Sequence, residues 1–174
     1  MATATDSMRR EGAPRIGSSG LMHAVDLQTP PEAAFAVLCE VEKWPVWLSF
    51  LRSARLAQPG GSLTPGAEVL VRSAIPGDEE QLYEVDQYIE NHMLALVGAY
   101  SVRRRIDFRI ERKTTRSKMT ARIDYPTYGG RVAAFVDRLT KRRKLSSALA
   151  ESMVHFKGLV EYRRGEAAAD DLEL

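Results

Sequence analysis

The sequence predicts an α+β fold: a seven-stranded antiparallel curved sheet wrapped around one long C-terminal helix, with two short helices after the first strand. Three observations carry that expectation. Residues 131–164 keep an unbroken helical pattern with no proline and a single glycine, Gly158. At about 1.5 Å per residue this is a helix of roughly 50 Å, longer than an ordinary globular helix. The chain ahead of it reads almost entirely as strands separated by turn residues, and two proline-started helical patches follow the first strand. Antiparallel strands followed by one long amphipathic helix call for a helix laid along a curved sheet. Such a pair encloses a space that side chains need not fill, so the pattern predicts a container for a ligand.

Each element has its own signature. Residues 21–28 alternate as a strand, with His23, Val25 and Leu27 on one face. Thr29, Pro30, Pro31 and Glu32 open a helix, Thr29 or its neighbour capping it and proline suiting the first turn. Ala33, Phe35, Ala36, Val37, Leu38 and Val41 supply its apolar face. A second short helix is expected over 44–51, started by Pro45. Strands follow near 52–58, 67–75, 81–90, 93–101, 104–112 and 118–125. Their separators carry turn chemistry: Pro59 to Gly61, Pro76 to Asp78, Asn91 with His92, and Thr114 to Arg116.

Composition bounds the class. A chain of 174 residues, 44% hydrophobic and 28% charged, is expected to form one soluble domain with a real core. That domain is placed at 20–165, between a flexible leader over 1–19 and an acidic disordered tail over 166–174. There is no apolar run of about 18 residues and no hydrophobic signal core. The lone Cys39 excludes an internal disulfide and fits a reducing cytoplasm. Cys39 sits on an apolar helix face, which favours packing over reactivity. His23, His92 and His155 lack metal-ligand spacing. Phosphate-binding glycine loops and a nucleophile elbow are absent, so no metal and no cofactor is expected.

The order of elements resembles the helix-grip fold of the START-like (SRPBCC) superfamily, in particular its polyketide cyclase/dehydrase and lipid-transport branch. Residues 25–35 look like that family's strand and proline-started helix. Residues 40–47, from Glu40 through Trp44 and Pro45 to Trp47, look like its second helix. Residues 121–139 look like its last strand, glycine loop and long helix. The resemblance spans 21–164 and implies an elongated cavity between sheet and helix for an apolar or aromatic molecule. Members of the family include aromatase/cyclases, lipid and quinone carriers and hormone receptors, so kinship alone does not choose a function.

Candidate ligand contacts come from helix phase and strand parity. At 100° per residue Val132, Phe135, Val136, Leu139, Ala150, Met153 and Val160 fall on one stripe of the long helix. Arg142 and Ser146 lie near the middle of that stripe, where leucine would be expected. Two readings stand: this turn meets the groove mouth with Arg142 snorkelling to solvent, or both residues are polar anchors inside the cavity. In the second, a cation in an apolar pocket would polarise a carbonyl or hold an enolate. Parity places Val69, Val71 and Ser73 inward, with Tyr83, Val85, Gln87 and Ile89, then Ile106, Phe108 and Ile110, then Met119, Ala121, Ile123 and Tyr125. Tyr83, Gln87, Tyr100 and Tyr125 then offer hydroxyl and amide groups, either to a ligand or to the core. Trp44, Trp47 and Phe50 are expected to wall one end. The ligand-binding set is thus Trp47, Val71, Tyr83, Gln87, Tyr100, Phe108, Tyr125, Phe135, Leu139, Arg142, Ser146 and Met153, with no catalytic residue assigned.

Residues 103–118 hold eight Lys or Arg against Asp107 and Glu111. They read as a solvated outer strand face, or as a docking patch for an acidic carrier protein or an anionic membrane surface. No groove-entering motif accompanies the charge, and the formal net charge is only +2, so nucleic acid is not expected as a partner. Three functions fit: binding or carriage of a hydrophobic small molecule, cyclisation or dehydration of a polyketide-like one, or an interaction module using the basic hairpin. Nothing in the sequence sets an oligomeric state.

Overall fold

The computed structural model describes the backbone of residues 18–74, 80–126 and 133–170, and the side chains of 20–74, 80–100, 104–124 and 143–166. In chain order it runs β1 (Ser18–Leu27), α1 (Pro31–Cys39), a 3-10 turn (Val41–Lys43), α2 (Trp44–Trp47), β2 (Leu51–Leu56), β3 (Glu68–Ser73), β4 (Glu80–Ile89), β5 (Met93–Gly98), β6 (Ser101–Lys113), β7 (Arg116–Pro126) and α3 (Ala133–Asp170). The seven strands form one antiparallel sheet in the order β1-β7-β6-β5-β4-β3-β2. The last strand therefore returns beside the first, and the sheet curls so that α3 lies against β1, α1 and α2. This is the helix-grip architecture expected from the order of elements.

Local chemistry explains most boundaries. In β1, Leu21 and Leu27 are buried while Met22, Ala24 and Asp26 are exposed, as period-two alternation requires. Pro31 occupies the first turn of α1, where its missing N–H costs nothing. Pro30, not Thr29, takes the cap position. Thr29 instead lends its backbone carbonyl to the Ser117 hydroxyl at 2.9 Å. Asn91, at φ 58°, occupies the β4–β5 turn in a left-handed conformation that asparagine tolerates.

Three boundaries differ from the expectation. The second helix stops at Trp47 instead of running to 51, because the Phe50 carbonyl is claimed by the Ala74 N–H at 2.8 Å, which draws the chain into β2–β3 pairing. β1 begins at Ser18, inside the residues read as leader, since Ser18 and Ser19 pair with Pro126 and Tyr125. At the other end α3 continues to Asp170, past the Arg164 expected, through a Glu-Ala-Ala-Ala stretch of high helix propensity. Residues 1–17 and 171–174 lie outside the described residues.

The parity of β4 also changes midway. Its register against β5 shifts between Val85 and Gln87, a β-bulge that inserts Asp86 as an extra residue. Tyr83 and Val85 face inward as expected. Beyond the bulge Tyr88 turns inward, edge-to-face with Phe35 at 5.3 Å. Gln87 and Ile89, expected inside, are both exposed.

The core is closed most tightly at the end near α2. Trp47 meets Phe156 of α3 with ring centroids 4.7 Å apart, and Phe108 of β6 at 5.7 Å, both edge-to-face. Trp44 packs on the same Phe108 at 5.9 Å, and its indole N–H donates to the Leu38 carbonyl at 2.8 Å. These rings are fully buried, each contributing roughly 1.5–3 kcal/mol by removal from water.

Polar contacts fix the C-terminal half of α3. The Arg163 guanidinium grips the Glu40 carboxylate at 2.6 and 3.0 Å, and Lys43 adds a contact at 2.8 Å. The Gln28 N–H donates to Glu161 at 2.9 Å, and Arg164 donates to the Gln28 carbonyl. The Arg163 hydrogen bonds, supported by Lys43, pull the Glu40 carboxyl from 4.5 down to about 2, against a smaller opposing push from burial. A carboxyl whose folded pKa lies below its unfolded one stabilises the fold above the unfolded value and loses that contribution as pH falls towards the folded one. Glu40 is about a third exposed, so screening keeps the effect to roughly 0.5–1 kcal/mol. Urea unfolding of wild type and Glu40→Gln should therefore differ by about that amount at neutral pH, the gap closing between 4.5 and about 2. A gap that does not change with pH would exclude this role for the ion pair.

Candidate ligand-binding site

The register of the strands arranges the inward side chains in rows across the sheet. One row runs His23, Ala121, Phe108, Leu94 and Tyr88; the next runs Leu21, Ile123, Ile106, Leu96 and Val85. Tyr83 pairs with Val69, and Val71 with Ala54, on the far side of the curl. Burial is graded across these rows. Met119, Ala121, Phe108 and Ile110, towards the aromatic cluster, are only 0–1% exposed. Leu21, Val71, Tyr83, Ile106 and Ile123 keep 6–8%. The inner face is thus dry at the end sealed by Trp47 and Phe156. Slight access remains at Leu21, Ile106 and Ile123 towards the opposite end, where β1 and β6 begin and β7 ends, while Leu96 and Val85 in the same row are closed at 0–1%.

Helix α3 runs from that accessible end towards the sealed one. Its buried residues Leu149, Ser152, Met153, Phe156 and Val160 cover the sealed part. Ser146, one turn earlier, is half-buried and lies 3.1 Å from the Nε2 of His23 on β1. Ser152 is held differently: its hydroxyl donates to the Ala148 carbonyl at 2.7 Å and accepts the Ser49 N–H at 3.1 Å. The helix is therefore pinned to the α2–β2 connection as well as to β1.

The candidate residues separate into four groups. Val71 and Tyr83 lie on the accessible part of the inner face, Tyr83 with its hydroxyl 3.2 Å from Gln81. Phe108, Trp47 and Met153 belong to the closed end, where Trp47 packs on Phe108 and Met153 is 2% exposed. The Trp47 indole N–H is buried with no hydrogen-bond partner among the described residues, so ring packing positions it. Gln87 faces outward because of the bulge, and Tyr100 is 90% exposed in the turn between β5 and β6, since β5 ends at Gly98 and not at 101. The side chains of Tyr125, Phe135, Leu139 and Arg142 lie outside the described residues; their backbones belong to β7 and the first turns of α3.

Two residues absent from the sequence-derived set emerge here. Alternation places His23 on the inward face, but nothing in the pattern shows that Ser146 stands opposite it. Tyr88 falls on the outer face by parity, because the bulge leaves no mark in the pattern of apolar residues. It meets Cys39, whose thiol lies 3.9 Å from the Tyr88 hydroxyl. Burial pushes the Cys39 thiol above its usual pKa, only partly opposed by that hydrogen bond. Among the described residues no group of three or more His, Cys, Asp or Glu could hold a metal ion, and no helix is long and apolar enough to cross a membrane. With its thiolate disfavoured, Cys39 should react with a neutral disulfide reagent at least about tenfold more slowly than an unstructured cysteine at neutral pH, and at the ordinary rate in urea. Equal rates in the folded protein would contradict this environment.

Comparison with known proteins agrees with the geometry. The profile of the family described as polyketide cyclase/dehydrase and lipid transport matches residues 21–161. No curated protein sequence is a significant match. The fold resembles that of the Zhui aromatase/cyclase from Streptomyces sp. R1128 at a TM-score of 0.68 and 12% identity, covering 84% of this chain and 96% of that one. A protein from Thermus thermophilus superposes at 0.67 with 9% identity, covering 83% and 99% of the two chains. A START superfamily protein from Mycobacterium smegmatis does so at 0.59 with 15% identity, covering 84% and 99%. At such identities these structures speak for the fold alone. The family profile spans most of the chain, from the first inward residue of β1 to the contacts that anchor the end of α3, and the chain belongs to the polyketide cyclase/dehydrase and lipid transport family.

Proposed function

We propose that this protein binds a hydrophobic or aromatic small molecule, polyketide-like or lipid, between the inner face of the sheet and the N-terminal half of α3. The observation that carries the reading is the apolar and aromatic inner face of a sheet curled against α3, on which Leu21, Ile106, Ile123, Tyr83 and Val71 point inward and keep 6–8% of their surface exposed. Apolar walls with few polar groups are the usual composition of a small-molecule site. Arg142 and Ser146 would be its polar anchors. Cyclisation or dehydration of the bound molecule is the further step that the aromatase/cyclase neighbour suggests. It would use the Arg142 cation to stabilise an enolate. Residence in the cytoplasm fits the single cysteine.

The alternative, docking of an acidic partner on the basic hairpin, has weaker support. Arg105 is engaged with Asp86 at 2.8 Å and Asp107 at 2.7 Å, and Arg112 with Glu32, so part of the cluster is neutralised within the fold.

The anionic naphthalene dye 1-anilinonaphthalene-8-sulfonate tests the reading. Ile106→Trp, which fills the accessible row, should weaken dye binding by about tenfold or more without lowering the unfolding midpoint. Arg142→Leu should weaken it similarly if Arg142 reaches the ligand. Unchanged affinity in Ile106→Trp would rule out the cavity; unchanged affinity in Arg142→Leu alone would rule out that anchor.

A further inference from the structure

His23 of β1 and Ser146 of α3 are polar groups that face each other. His23 sits between Leu21 and Val25 on the inward face of β1, opposite Ala121. Ser146 lies one turn before Leu149 and two before Met153 on α3. Each is half-buried, and the 3.1 Å contact between them is the one hydrogen bond either makes among the described residues. Two other inward serines are used differently. Ser152 both donates and accepts, and Ser117 donates to a backbone carbonyl; both are essentially inaccessible. Ser146 keeps hydrogen-bonding capacity where the inner face passes from dry to accessible.

From this we infer that the His23–Ser146 pair is a polarity filter, holding the ligand's oxygen and favouring apolar molecules that carry a hydroxyl or carbonyl over plain hydrocarbons. The inference rests on the cavity reading above. A neutral imidazole has two tautomers. With the proton on Nε2, His23 donates to the Ser146 oxygen and leaves the serine hydrogen for a ligand carbonyl. With the proton on Nδ1, Nε2 accepts from Ser146, and the serine lone pairs accept from a ligand hydroxyl. The pair therefore serves ketone and phenol alike. A hydrocarbon seated there would displace water from the pair and return no hydrogen bond. Ser146 would touch the ligand; His23 is a positioning residue that sets the direction of the hydroxyl.

The test compares 1-naphthol with naphthalene, two probes that differ by one hydroxyl. Wild type should bind 1-naphthol roughly tenfold more tightly, although naphthalene is the more hydrophobic. Ser146→Ala should erase that preference, whereas Ser146→Thr, which keeps a hydroxyl, should retain it. His23→Leu should also lose the preference, and His23→Gln, whose amide nitrogen reaches near the position of Nε2, should restore most of it. Equal affinity for the two probes in wild type, or a preference that survives Ser146→Ala, would show that the pair only clamps α3 to β1 and would overturn the inference. Failure of both probes to bind would instead remove the cavity reading, and this inference with it.

Discussion

The aromatic contact of Trp47 with Phe108 and Phe156 is the interaction on which the rest of the structure depends. It joins a strand at the middle of the sheet, the short helix α2 and the long helix α3 in a single packed unit. Edge-to-face pairs of this kind add roughly 0.5–1.5 kcal/mol each beyond the area they bury. Their rigidity sets the depth at which α3 rests on the sheet. The seating of the helix on the sheet thus depends on where two tryptophans fall in the short helix α2.

Charge is arranged so that this interior stays neutral among the described residues. The ion pairs lie on the outer face of the sheet, as with Arg105 and its two aspartates, or at the far end of α3, as with Arg163 and Glu40. Ionised groups would be costly against apolar walls unless paired. The polar groups that do face inward are hydroxyls and one imidazole, which can satisfy each other or a bound molecule. Small-molecule sites with apolar walls discriminate by shape and by the placing of a few hydrogen bonds, with apolar area providing most of the affinity.

The legible parts of the fold are those governed by local periodicity. The long helix, the proline-started α1, the seven strands and their turns follow from residue spacing alone, and the family resemblance rests on the same order. Boundaries differ where a tertiary hydrogen bond wins over local preference, as when the Ala74 N–H takes the Phe50 carbonyl and ends α2 early. For the site, parity and helix phase place Val71, Tyr83, Phe108, Trp47 and Met153 on the inner face, and their burial agrees. Gln87 and Tyr100 are not where parity puts them. One inserted residue at Asp86 reverses the faces of the rest of β4, and an early end to β5 leaves Tyr100 in a turn. Neither event changes the local pattern of apolar residues.

By itself the sequence determined the element order, the single inward face of each regular strand and the apolar stripe of α3, because these depend on a period of two or of about 3.6 residues within one segment. Only the tertiary structure decided which stripe residue meets which strand. The pairing of His23 with Ser146, separated by more than a hundred residues, needs the register of β1 on β7 and the axial position of α3. That position follows from the packing of Trp47 against Phe156, and so from contacts made between segments that no local pattern encodes.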